Sequence, residues 1–161
     1  MKIKKIYKAD VEKFFNFLKK LDYETDFMMY EPDERTWNET QLIKQLENGN
    51  NLFLGVFHDQ DIIGFLSAER GCYKRTKHSA YIVIGILGNF QNQGIGAKLF
   101  EELKIWTKEN DIKRLELTVE TSNVNAIKLY MKNGFVIEGV KKNTMLVNNK
   151  LRDEYMMARL Y

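Results

Sequence analysis

The chain reads as an α/β (α+β) domain: a single mixed, mostly antiparallel sheet of about seven strands flanked by about four helices. Three observations predict it. The apolar pattern alternates between a period near 3.6 and a period of 2, giving the element order β-α-α-β-β-β-α-β-α-β-β, which builds a mixed sheet covered by helices. A near-continuous apolar run over 79–87 marks a central strand buried on both faces. The 161 residues are 44% hydrophobic and include ten Phe, eight Tyr and two Trp, enough for one domain with a real core and too aromatic for a disordered chain.

Each element has its own signal. Ile3 and Ile6 place a first strand over 2–8. Asp10 is read as the N-cap of a helix over 11–21, whose Val11, Phe14, Phe15, Leu18 and Leu21 share one face. A loop over 22–35 holds Pro32, the only proline. Thr36-Trp37-Asn38-Glu39 matches a capping box and opens a helix to about 48. The apolar runs 51–57 and 62–69, separated by His58-Asp59-Gln60-Asp61, read as a hairpin. A strand over 79–87, a helix over 94–109 and an alternating strand over 113–120 follow. A short helix over 124–132 stops at Asn133-Gly134, where glycine suits a left-handed C-cap. Strands over 134–147 and 150–160 meet at the turn Asn148-Asn149.

Composition narrows the function classes. The net charge of +3 is small and both signs interleave, as in Lys98, Glu101, Glu102 and Lys104, so no nucleic-acid-binding stripe is expected. Cys72 is the only cysteine, which excludes a disulfide within the chain and fits a reducing cytoplasm. It lies in a loop-like run with no triad around it and is read as an inert thiol. His58, Cys72 and His78 are scattered without metal-ligand spacing. The basic start lacks an apolar segment behind it, and the longest apolar stretch is too short to span a bilayer, so neither a signal peptide nor a membrane partner is expected.

Gln91-Asn92-Gln93-Gly94-Ile95-Gly96 lies between a strand and an amphipathic helix. Glycines there allow positive φ and close approach of a ligand, and the unpaired N–H groups of a helix start favour a phosphate. The turn lacks the Lys-Ser/Thr of an ATP-binding loop and the three-glycine spacing of a dinucleotide turn. Alone it is a weak signal, because paired glycines also serve packing.

Downstream, Asn123-Val124-Asn125-Ala126-Ile127-Lys128-Leu129-Tyr130 leads into Asn133-Gly134-Phe135. Joined to Gln91-x-x-Gly94-x-Gly96, this resembles the GCN5-related N-acetyltransferase (GNAT) superfamily. Glu138-Gly139, Asn148-Asn149 and Asp153-Glu154-Tyr155 are similar to the branch holding ribosomal-protein and spermidine N-acetyltransferases. The resemblance implies an acetyltransferase-like fold with acetyl-CoA as co-substrate. Backbone groups of Ile84 and Ile86 would pair with the pantetheine arm, and a bulge at Gly85 with a splayed strand pair would admit it. Gln91, Asn92, Gly94, Ile95 and Gly96 would hold the pyrophosphate, Asn123 would bond the cofactor, and Tyr130 would stand by the thioester sulfur. A homodimer is also expected from the resemblance.

The implied chemistry is transfer of an acetyl group to a primary amine by direct attack on the thioester. The attacking amine must lose a proton and the departing thiolate must gain one. Tyr130 is the candidate acid, since a phenol with a pKa of about 10 can donate to a thiolate whose acid sits near 8.5. The base is open: Thr118 stands where the protein N-terminal acetyltransferase branch often carries a Glu. Glu120 at the strand end is the first substitute, with Glu69, His78, Glu24 and Glu31 as others. The loop over 22–31, with Glu24, Phe27, Tyr30 and Glu31, is the expected acceptor wall, where acids and aromatics receive a cation. The expected acceptor is a small-molecule amine such as a polyamine or an amine antibiotic. A protein N-terminus or lysine is the rival within the enzyme class, and an inactive acetyl-CoA sensor the rival outside it. Asn123 and Asn125 as helix caps, and Tyr130 as a packed core aromatic, are the plain alternatives for those residues.

Overall fold

The computed structural model describes residues 1–161. Seven strands form one sheet in the order β1-β2-β3-β4-β5-β7-β6. They are β1 (Lys2–Lys5), β2 (Leu52–His58), β3 (Asp61–Arg70), β4 (Ser79–Ile86), β5 (Arg114–Glu120), β6 (Val136–Val147) and β7 (Lys150–Leu160). All neighbours run antiparallel except β4 and β5, which are parallel and joined by a helical crossover. The helices are α1 (Val11–Glu24), α2 (Glu39–Leu46), α3 (Ile95–Glu109) and α4 (Val124–Lys132). The expected class and element order hold.

The core has two halves, one on each side of β2 and β3. Phe14 of α1 is fully buried and meets Phe53 and Phe65 of the sheet at ring-centroid distances of 6.2 and 5.6 Å. By strand alternation Leu52, Leu54, Leu66 and Ala68 point the other way, where α3 packs. Phe100, Tyr130 and Phe135 fill that second half with their rings 5.8–6.1 Å apart. Burial on both faces is therefore found in β2 and β3. In β4 only Ala80 and Ile82 are buried, which corrects the expectation of a fully covered strand over 79–87.

Several local expectations are corrected. Asp10 does not cap α1 with its side chain; its carboxylate accepts the N–H of Tyr7 upstream. The buried face of α1 uses Phe17 in place of Phe15, which instead packs edge-on against the exposed Trp37 at 4.8 Å. The cap of α2 is Asn38, whose side chain accepts the N–H of Gln41, so the helix starts later than the Thr36 box implied. Gly85 carries no bulge: β3 and β4 keep an unbroken register from Gly64–Ile86 to Arg70–Ala80. A Cβ at Gly85 would stand 2.4 Å from Leu21 and 3.0 Å from Phe65, so glycine is there to let α1 approach the sheet. Asn148 and Asn149 both adopt positive φ, 51° and 59°, as a tight hairpin turn requires.

The loop between α1 and α2 is anchored by one buried ion pair. Asp22 is 3% exposed, and Arg35 reaches back to grip both its oxygens, at 2.7 and 3.0 Å. Removing the guanidinium would leave a carboxylate desolvated without a partner. Arg35→Met should therefore cost about 3 kcal/mol in chemical denaturation, with Asp22→Leu/Arg35→Met recovering most of it. A single-variant loss under about 0.5 kcal/mol, the level of an ordinary surface change, would show that the pair does not anchor the loop.

Candidate active site

The strands β4 and β5 pair only from Ser79–Arg114 to Tyr81–Glu116. Beyond that point they part, while β5 stays registered with β7 over its whole length, from Arg114–Leu160 to Glu120–Glu154. The Ser79 carbonyl and the Leu87 N–H bond on the β3 side, while the His78 carbonyl accepts from Arg114 on the β5 side. Alternate residues therefore face the gap, and Ile84 and Ile86 are among them. The expected splay is present, and both residues line it.

Tyr81 spans the gap. Its hydroxyl accepts the N–H of Thr118 at 3.2 Å and lies 2.8 Å from Thr118 Oγ1. A phenol thus takes the place of the missing strand partner at the first position where the strands separate. Thr118 is engaged by Tyr81 and supplies no carboxylate.

At the end of β4 the chain turns through a 3-10 segment, Gly88–Phe90, into the N-terminus of α3. Asn92 and Gly94 adopt positive φ, 60° and 76°. Nothing lies within 4 Å of a Cβ built on Gly94, so its backbone angle demands glycine. Gly96 serves a different purpose: a Cβ there would stand 2.7 Å from Leu129, so it lets α3 meet α4. The N–H groups of Asn92, Gln93, Gly94, Ile95, Gly96 and Ala97 have no acceptor within the protein. They converge at the positive end of the α3 dipole, which favours an anion. The Gln91 side chain points back and donates to the Ile86 carbonyl at 2.9 Å, tying the turn to the gap. Glu24 braces the same corner by accepting the Gly88 N–H at 2.8 Å.

Asn123 caps α4 by accepting the Ala126 N–H at 3.3 Å, and its amide nitrogen has no protein partner; Asn125 is exposed and caps nothing. Tyr130 packs against Phe100 and Phe135 and is 7% exposed. Burial, and secondarily the Tyr81 phenol, pushes its pKa well above the ordinary value near 10. The hydroxyl therefore holds its proton at neutral pH.

The candidate bases separate clearly. Glu120 is 6% exposed at the open end of the gap. Its Oε1 accepts from Ser122 and from Arg152, both at 2.6 Å, and no protein donor reaches Oε2. Thr118 and Glu120 share one face of β5. His78 precedes β4, on the paired side of the gap and away from its open end. Glu69 is exposed beside Tyr81 in the β3–β4 register. Glu31 is exposed, as are Phe27 and Tyr30 at 45% and 41%, and Arg35 lies over the Tyr30 ring at 4.2 Å. Asp26 of the same loop accepts from Asn148 of the β6–β7 turn at 3.4 Å, so the loop and that turn meet. Sequence reasoning missed Tyr81, Ser122 and Arg152. Tyr81 was hidden within an apolar run, and nothing in the Arg152-Asp153-Glu154 triplet marks its first member.

No group of three or more His, Cys, Asp or Glu is placed to hold a metal ion, no helix is long and apolar enough to cross a membrane, and Cys72 is exposed.

Residues 13–135 match the model of the Acetyltransferase (GNAT) family. The L-amino acid N-acetyltransferase AaaT of Escherichia coli (strain K12) is 35% identical over 106 residues, 63% of this chain and 64% of that protein, so the chain spans less than two thirds of its length. The crystal structure of a GNAT-family acetyltransferase from Streptococcus pneumoniae superposes with a TM-score of 0.91 at 32% identity, covering 99% of this chain and 98% of that one. The structure of yncA, a putative acetyltransferase from Salmonella typhimurium with its cofactor acetyl-CoA, superposes with a TM-score of 0.86 at 16% identity, covering 99% and 93%.

The Tyr130 environment can be checked directly. A phenol held protonated by burial ionises only above its ordinary range, so Tyr130→Phe should leave the ultraviolet phenolate titration unchanged up to about pH 11. Loss of a component titrating near pH 10 would mean that the hydroxyl is solvated.

Proposed function

The chain belongs to the acetyltransferase (GNAT) family, and from that premise we propose that it transfers an acetyl group from acetyl-CoA to the primary amine of a small molecule. One observation carries the reading. The unpartnered N–H groups from Asn92 to Ala97 stand beside a strand gap whose free backbone groups are those of Ile84 and the N–H of Ile86. A pyrophosphate fits the first feature, and an extended amide-bearing arm fits the second, as an added strand would. The amide nitrogen of Asn123 is a further donor for the cofactor.

Acetyl-CoA supplies the acetyl group activated as a thioester. The Ile84 N–H, left without a strand partner, is the donor for the thioester oxygen. Tyr130, protonated at neutral pH, gives its hydroxyl proton to the departing sulfur. Glu120 Oε2, the free oxygen of a buried carboxylate, takes the proton from the incoming amine. No covalent enzyme intermediate is involved, and Cys72 has no role.

The acceptor is read as a compact amine carrying one ammonium. AaaT, by its name, acts on L-amino acids. Two of the acids of the 22–31 segment, both in the last turn of α1, are already committed, Asp22 to Arg35 and Glu24 to Gly88, which leaves fewer carboxylates to face a polycation. Polyamines, amine antibiotics and peptides are the other acceptors to screen, and uniform silence would favour an acetyl-CoA sensor.

Acetyl-CoA should raise the melting temperature, and Gly94→Val should remove most of that shift while folding with only local backbone strain of about 1–2 kcal/mol. No shift in the wild type at millimolar acetyl-CoA would end the cofactor assignment. Gly96 is unsuitable for this test, because its substitution disturbs Leu129 as well.

Tyr130→Phe should leave the acetyl-CoA shift in place and lower kcat by about 10²–10⁴-fold in a thiol-release assay. Turnover equal to wild type with the best amine would remove Tyr130 from proton transfer.

A further inference from the structure

Arg152 is held differently from the other paired arginines. Arg35 grips Asp22 with Nε and Nη2, and Arg114 spends Nε on Glu116 and both terminal nitrogens on Glu138. Those guanidinium groups are filled by the protein. Arg152 contacts Glu120 Oε1 through Nη1 alone, and its Nε and Nη2 have no protein acceptor. Its side chain is 28% exposed, against 5% for Glu120. It therefore stands at the open end of the β4–β5 gap with part of its planar fork unspent.

We infer that Arg152, positioned by Glu120, receives a carboxylate of the acceptor, which makes the acceptor class amino acids and other amines bearing a nearby carboxylate. The inference rests on the acetyl-transfer reading above and narrows its substrate. A guanidinium fork matches a carboxylate in geometry, and one already neutralised by Glu120 can take a second anion edge-on. The pair is dipolar: Glu120 Oε2 is the free negative end and Arg152 Nη2 and Nε the free positive edge. A zwitterion complements both ends and adds no net charge to a half-buried site. A plain amine or a polyamine brings only positive charge toward Arg152.

Asp26, from the loop that meets the β6–β7 turn, accepts from Asn148 at 3.4 Å and is near enough to Arg152 to favour its charged form without bonding to it, so Glu120 is the one direct partner of Arg152. Glu154 accepts the Thr144 hydroxyl at 2.8 Å, and Asp153 is taken by Lys142 and the Asn143 N–H, so neither draws Arg152 away from Glu120.

The test compares L-amino acids with their carboxamides and with the corresponding decarboxylated amines in a thiol-release assay with acetyl-CoA. The wild type should prefer the best acid over its carboxamide by at least about tenfold in kcat/KM, the scale of one charge-assisted contact. Arg152→Lys keeps a cation beside Glu120 but loses the fork. It should raise KM for the acid by about tenfold with little change in kcat, and leave the carboxamide within about threefold. Equal use of acids and carboxamides by the wild type overturns the inference while leaving the amine acetyltransferase reading intact. So does a variant that slows both acceptors alike. Acetyl-CoA binding with no release for any amine would instead overturn the underlying reading.

Discussion

After Tyr81 and Glu116 the parallel strands β4 and β5 no longer share hydrogen bonds, and the rest of the candidate site hangs on that separation. Pairing with β7 continues without interruption to Glu120–Glu154, so β5 stays in the sheet through its antiparallel neighbour after it has left β4. Separation strands backbone groups in the middle of the sheet, and such groups need partners. The Tyr81 hydroxyl satisfies the Thr118 N–H, and the Gln91 amide satisfies the Ile86 carbonyl. The groups left over, around Ile84 and along Asn92 to Ala97, are those a thioester cofactor would complete.

The two sides of the gap divide the proposed chemistry. On the side of α3 and α4, Tyr130 is packed between Phe100 and Phe135, where low polarity keeps its phenol protonated. On the other side, Glu120 sits beside Arg152 and Ser122, where hydrogen bonds keep a buried carboxylate in place. Apolar packing holds the proposed acid neutral, and the contacts with Arg152 and Ser122 fix where the proposed base points.

Much of this was legible in the chain. The order of elements followed from periodicity, and Gly94, Gly134 and Asn148-Asn149 stand at positive φ where turn chemistry put them. The misses in the core and at the gap share a cause: each depended on a contact distant in sequence. Phe17 outranks Phe15 because β3 presents Phe65 to it, at 5.7 Å between rings. Gly85 reads as a bulge until Leu21 is seen against it. The two cap misses are local: Asp10 stands at the start of α1 but turns its carboxylate back to the Tyr7 N–H, and Asn38 takes the α2 cap in place of Thr36. Tyr81 reads as one more apolar residue, and only the partner it finds across the gap makes it a structural bridge. Arg152 carries no local mark, because its character lies in which nitrogens remain free.

The threonine at position 118 is instructive for the same reason. Strand side chains alternate, so Thr118 and Glu120 project from one face of β5, about 7 Å apart along the strand. A carboxylate absent at the first position is present at the next one on that face, nearer the open end and joined to a cation. Tyr81 occupies the vacated level and closes the gap beneath it. Moving the negative charge outward by one pleat, from the level of Met156 to that of Glu154, brings it within reach of Arg152. In the proposed reaction the acceptor is then gripped at the mouth of the gap, where a short zwitterion can place its amine while its carboxylate stays outside. A base at position 118 would draw the amine deeper and leave Arg152 too far away to serve as its anchor.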